Sequence, residues 1–359
     1  MYRIGRRQFV LQVVAFHVLF TLASMAAAAQ TSPSKLAKLV VLPPKPEPPG
    51  LAPSGTLQEW NGSFSYNGTQ YNYVMVGADP ATNQGAVITT WIVPVKILLA
   101  SGQTFDPLSG GPLSPLARTV LSPLFDNTTT YIQGGVDVGT TQYIDAFQRA
   151  NFWSIVQQNP NSHLLLGGPS AHIAVLPELT LNVPSGSGGI GAPFGHQVAE
   201  VDLNYFDSQI SSYMAQSHVI NATGIPIFET TNTYLTENGC CIGGYRSAQG
   251  PQTYMEFGYI GYEGDFGQDV SLLSAELGEW ADDPLYPAPN FTPCGELGVA
   301  GPLANTPNHG TYSYQLHDFT YHLQDLAFLR YFGGPADGSV NDWWSFQGYP
   351  FTQICQNGS

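Results

Sequence analysis

A chain of 359 residues allows one large or two ordinary domains, and its 43% hydrophobic content excludes a disordered tail. Only 10% of the residues are charged, the net charge is −15 and there is no basic patch, which excludes nucleic acid and anionic membrane surfaces as partners. With 39 glycines and 28 prolines, the composition suits a loop-rich extracellular protein of many strands better than a helical cytosolic enzyme.

The first residues have the pattern of a secretory signal. Arg3, Arg6 and Arg7 precede an apolar run over residues 9–25, and small residues follow at 26–29, so residues 1–29 are expected to be removed. Arg6-Arg7-Gln8-Phe9-Val10 also fits the twin-arginine export pattern, so the general secretory and twin-arginine routes are both open. No later run approaches the roughly 18 apolar residues of a membrane span, and the mature chain is expected outside the cytoplasm without a transmembrane segment. Residues 30–55 are rich in proline and lack periodicity, which predicts a linker leading into a single domain over 56–359.

Strands are predicted from residue 57 onward. The run W-N-G-S-F-S-Y-N-G-T-Q-Y alternates, and Asn-Gly pairs at 61–62 and 67–68 are hairpin-turn signals. Residues 86–98 form a buried-type strand in which Pro94 suggests an edge or a bulge. Residues 131–153 pass from strand to helix. Shorter strands are predicted at 163–166, 172–183, 198–203, 225–235 and 253–262, with a helix at 204–217. The glycine-rich loop at 185–195 lacks the Lys-Ser/Thr of a nucleotide cradle. Residues 240–246 are predicted to be a turn-rich loop and 319–332 a final helix. The fold class expected is α+β, with a mostly antiparallel sheet and a few long helices.

Four cysteines, Cys240, Cys241, Cys294 and Cys355, lie in the exported part of the chain, where disulfides are the default. The adjacent pair is expected to reach out to Cys294 and Cys355, because a bridge between neighbours strains the intervening peptide. Without a C-x-x-C spacing, thiol redox or metal chemistry is not expected.

The stretch D-V-S-L-L-S-A-E-L-G-E-W-A-D-D-P over 269–284 concentrates carboxylates in a sparsely charged protein. Val270, Leu273, Leu277 and Trp280 recur at helical spacing, and Asp283-Pro284 stops the helix. Residues four apart share a helix face. A zinc hydrolase places two ligands at that spacing, with a glutamate beside the first acting as general base. Glu276 occupies the base position and Glu279 the second ligand position, but position 275 is alanine, which offers no donor. Asp282 and Asp283 sit at the helix C-terminus, where the dipole disfavours negative charge, and are expected to have a partner.

This stretch resembles uncharacterised secreted bacterial proteins with a zincin-type helix of pattern S-H-E-L-x-E-W-x-x-D-P. It is distantly similar to the plant exordium (phosphate-induced) proteins. Ser274, Glu276, Leu277, Glu279, Trp280, Asp283 and Pro284 match, and Ala275 stands where the pattern has histidine. Runs at 134–153, 201–208, 240–245 and 321–328 extend the resemblance over most of the mature chain. It implies a zincin-like fold related to metallopeptidases. The bacterial group carries L-E-V-G-D-P-L downstream, and here Gly298 and Gly301 replace its two acids, with Glu296 two residues earlier.

Among other candidates, His322 is expected to lie one helical turn from Asp325, either as a packed residue or as a metal ligand. His196 and Glu200 copy the ligand spacing but start a strand. His163 and His172 flank a turn, and His309 or His317 could stand in for the missing ligand. No G-x-S-x-G elbow occurs. Carboxylates and water without imidazole favour calcium or magnesium over zinc. The function expected is that of a catalytically impaired metallopeptidase relative that binds extracellular peptide or glycan. An active metal-dependent peptidase with a rebuilt site, and a hard-cation-binding structural protein, are the alternatives.

Overall fold

The computed structural model describes residues 38–41, 45, 55–167, 173–284, 291–292, 295–296, 311–324, 328–340 and 342–348. Within the compact unit Lys35–Ser359, the first strand is β1 (Lys38–Val41). A hairpin follows, β2 (Glu59–Tyr66) and β3 (Thr69–Val76). Asn67 and Gly68 both have positive φ, at 48° and 81°, which is the two-residue turn that matches strand twist. The other Asn-Gly pair is not a turn. Gly62 lies mid-strand, and a Cβ there would meet the Tyr73 hydroxyl at 2.2 Å, so the ring crosses over it.

The long strand β4 (Ala86–Leu99) organises the sheet, with β5 (Thr104–Phe105) and α1 (Pro115–Val120) after it. A second hairpin, β6 (Thr130–Gln133) and β7 (Val136–Thr140), leads to α2 (Tyr143–Asn151) and α3 (Trp153–Val156). Short strands β8 (Leu164–Gly167), β9 (Ala174–Val175) and β10 (Leu179–Val183) run parallel to successive parts of β4. Then come β11 (Gly188–Gly191), β12 (Val198–Asp202), α4 (Leu203–Gln216), β13 (Gly224–Thr231), β14 (Thr233–Thr236), β15 (Cys240–Gln249) and β16 (Gln252–Tyr259). Helix α5 (Ser271–Asp282) is followed by β17 (Phe291–Thr292), β18 (Gly295–Glu296), β19 (Thr311–Leu316), β20 (Phe319–Gln324), β21 (Phe328–Leu329) and β22 (Trp343–Trp344).

The architecture is α+β, many strands with few helices. The large sheet runs in the order β10-β4-β13-β16-β15-β14-β12-β11. Its hairpins are antiparallel, whereas β4, β13 and β16 are mutually parallel. Every residue of β13 is buried. Parallel strands are covered on both faces and read as near-continuous apolar runs. One face packs Ile92, Ile225, Ile227, Met255 and Phe257 against α2 and α5, and the other packs Val93, Val95 and Phe228 against α4. Pro94 is therefore central. Its missing N–H falls in the gap between β9 and β10, on the edge where Ile92 accepts from Leu176.

Part of the proline-rich stretch belongs to the sheet, since β1 pairs with β15 in parallel and Lys45 bridges to Gln249. Residues 240–249 are a strand rather than a turn-rich loop. Gly243 there serves close packing, because a Cβ on it would meet Leu272 Cδ1 at 2.5 Å. The expected last helix is instead the β19–β20 hairpin, turned at His317 and Asp318 with φ of 51° and 62°. These residue types tolerate the left-handed region and replace the usual Asn-Gly. The side chains of Cys240 and Cys241 lie side by side, packed with Val198, Tyr234 and Ile260. Cys294 and Cys355, the partners expected for them, lie outside the described residues. Among the described residues no helix is long and apolar enough to cross a membrane.

Candidate functional site

Helix α5 starts where Asp269, at φ 44°, accepts the Val270 N–H, and it ends where Asp283 precedes Pro284, which disfavours further helix. It lies between β15 and β16 on one side and α2, β3 and β20 on the other. Val270, Leu273, Leu277 and Trp280 are buried as their spacing predicts, and so are Leu272, Ala275 and Glu276. The Trp280 indole donates to the Thr253 hydroxyl at 3.1 Å, tying the helix to β16.

The pattern brings Glu276 and Glu279 together, and both meet the same cation. Arg246 of β15 bonds Glu279 directly and lies 3.7 Å from Glu276, which is 1% exposed. Neighbouring Tyr245 packs on the α4 face, so strand alternation turns Arg246 towards α5. The sequence reading missed this arginine. Its signal was a lone cation inside an otherwise neutral strand run, C-C-I-G-G-Y-R-S-A-Q. A zinc ion does not fit this constellation. Position 275 supplies no donor, and a guanidinium already holds the carboxylates that would ligate the ion, so zinc would add a second cation without imidazole support. Among the described residues no group of three or more His, Cys, Asp or Glu is arranged to hold a metal.

Asp282 at the helix end has the partner its unfavourable position calls for. Asn151 Nδ2 donates to Asp282 Oδ2 at 3.1 Å, and Gln148 Nε2 donates to the Ala281 carbonyl at 3.2 Å. Burial pushes the Asp282 carboxyl well above the usual range, and the Asp283 charge adds to this.

His322 stands on β20, not on a helix, and its partner is Asp269. Asp325, the neighbour expected for it, lies outside the described residues. His322 Nδ1 sits 2.6 Å from Asp269 Oδ2, and the His322 N–H donates to both carboxylate oxygens, at 3.0 and 3.2 Å. The hydrogen bond to Asp269 raises the imidazole pKa, while burial raises that of Asp269. Ser274 Oγ accepts the Gln324 N–H at 2.7 Å, so side chains from the start of α5 occupy the edge of β20 that β19 leaves free.

Three of the other histidines have local partners. His163 binds Asp145 at 2.7 Å, next to the Leu164 N–H on the same carboxylate. His196 lies in a loop, stacked on Tyr262 and bonded to Asp265, while Glu200 lies on β12. His317 contacts Asp126 at 3.2 Å. His172, His309, Gly298, Gly301 and the side chain of Glu296 lie outside the described residues. On the α4 face, Asp207 accepts from Tyr254 at 2.7 Å and Tyr245 at 3.2 Å and pairs with Lys45.

Comparison with protein-family models, with curated proteins and with solved structures finds no match.

Proposed function

We propose that this is an exported, zincin-like protein in which the metal centre has been replaced by an internal ion pair, and that it acts by binding extracellular peptide or glycan rather than by hydrolysis. The contact of Arg246 with both Glu276 and Glu279 carries this reading. A guanidinium is a permanent cation whose fork matches carboxylates, so it neutralises the two acids without an exchangeable ion. Glu276 held in this way cannot act as the base on a metal-bound water. Ala275 supports the same conclusion from the sequence side.

Metal analysis of the purified full-length protein tests the proposal. The wild type is expected to carry no stoichiometric zinc, and Glu279→Ala to leave metal content unchanged. The paired change Ala275→His with Arg246→Ala is expected to create zinc affinity where the wild type has none. Stoichiometric zinc in the wild type that is lost in Glu279→Ala would overturn the reading in favour of an active metal-dependent site.

A further inference from the structure

Where α1 meets the sheet, three polar atoms come together without hydrogen-bond partners: Glu229 Oε2, Tyr259 Oη and Arg118 Nε. Thr119 Oγ1 donates to Glu229 Oε1 at 3.1 Å, which fixes the carboxyl beside α1. Glu229 pairs with Phe257 and Thr231 with Tyr259, so Glu229 and Tyr259 are diagonal neighbours on one face of the sheet. Glu229 is 0% exposed and Tyr259 2%. The Arg118 guanidinium stacks over Phe319 at 4.3 Å, and its backbone carbonyl accepts the Tyr321 hydroxyl at 3.0 Å. Arg118 lies close enough to Tyr259 to oppose the upward push that burial gives the phenol.

Arg118 is unusual among the described cations. Lys45 pairs with Asp207, Lys96 with Asp106 and Glu178, and Arg330 with Asp342, while Arg149 donates to three backbone carbonyls. Arg118 forms no ion pair with a described residue, although the chain carries a net charge of −15. Native proteins rarely leave buried polar atoms unsatisfied, and several at one place imply an absent partner.

The chemistry of that partner follows from the donors. A guanidinium and a phenol O–H donate, and burial holds the Glu229 carboxyl well above its usual pKa, so it remains protonated and donates as well. The phenol oxygen can accept one bond, from Arg118, so donors outnumber acceptors in the cluster, which suits an acceptor-only group. We propose that Arg118, Tyr259 and Glu229 form a binding site for the carboxylate of a small molecule. The site is independent of the Arg246 cluster, which lies beside a different part of β16, so either assignment can fail without the other.

The test is a titration of the full-length protein with sodium acetate at constant ionic strength, followed by NMR or calorimetry, with inorganic phosphate and chloride in parallel. Saturable acetate binding is expected, weakened about tenfold by Tyr259→Phe, as loss of one hydrogen bond implies, and abolished by Arg118→Met. Should Arg118→Met fail to fold, Tyr259→Phe decides the matter. No saturable binding would overturn the proposal and assign the three atoms to trapped water. Saturation by phosphate but not acetate would overturn the carboxylate assignment, and acetate binding unchanged in both variants would overturn the location.

Discussion

Asn151 on α2 donates its side-chain amide to Asp282 at the end of α5, across 3.1 Å of protein interior. Both residues are 0% exposed. Removing a donor from a buried acceptor costs that group's desolvation, about 1–3 kcal/mol. Asn151→Ala is therefore expected to lower stability by that amount in urea unfolding. Asp282→Asn, which keeps the shape and an acceptor oxygen for Asn151, is expected to cost less.

Arg246→Ala leaves Glu276 and Glu279 without their cation. Breaking a buried pair by removing one partner costs about 3–5 kcal/mol, and a fall of that size in unfolding free energy is expected. Exchanging Arg246 for methionine together with Glu276→Gln and Glu279→Gln should recover much of the loss, since no uncompensated charge then remains.

Stability is expected to fall as pH rises from about 5 to 8. Burial raises Glu229, Glu256 and Asp282 well above their ordinary values, so the folded state keeps protons that the unfolded chain releases above pH 4.5 and 3.8. His322 adds to the trend, since its raised pKa gives stability that is complete below 6.5 and is lost as pH climbs through the folded value. Urea melts at both ends of this range check the sign, and His322→Gln with Glu229→Gln should flatten the slope.

Two glycines differ in what a methyl group would strike. At Gly224 a Cβ would lie 2.1 Å from the Thr89 carbonyl, which is backbone of the neighbouring strand. At Gly243 it would lie 2.5 Å from the tip of Leu272. Overpacking costs about 1–3 kcal/mol. Gly224→Ala is expected at or above the top of that range and Gly243→Ala near the bottom, a difference that thermal melts resolve.

The sequence carried α5 almost to the residue, because its apolar spacing and its Asp-Pro stop are local signals. It also carried β4 and α4 on periodicity. The Asn67-Gly68 hairpin was legible, whereas the His317-Asp318 hairpin was not, since its turn lacks the glycine that marks a two-residue loop. Residues 240–246 looked like a loop because Gly243 and Gly244 imitate turn residues, although Gly243 serves the approach of α5. Glu276 and Glu279 were legible as a pair. Arg246 was not, because its proximity comes from pairing β15 beside β16 and from α5 crossing both, which spacing along the chain does not encode. The same holds for Asp269 beside His322, 53 residues apart.

The strand at 38–41 has a consequence in time. Among the described residues it pairs only with β15, and Lys45 reaches Asp207, 162 residues further on. At a synthesis rate of about 5–20 residues per second, the N-terminal strand waits roughly ten to forty seconds before its binding surface exists. During that interval the strand is an unpaired edge segment on a nascent chain. The earliest part of the domain to be made therefore cannot take its place in the sheet until β15 has been made.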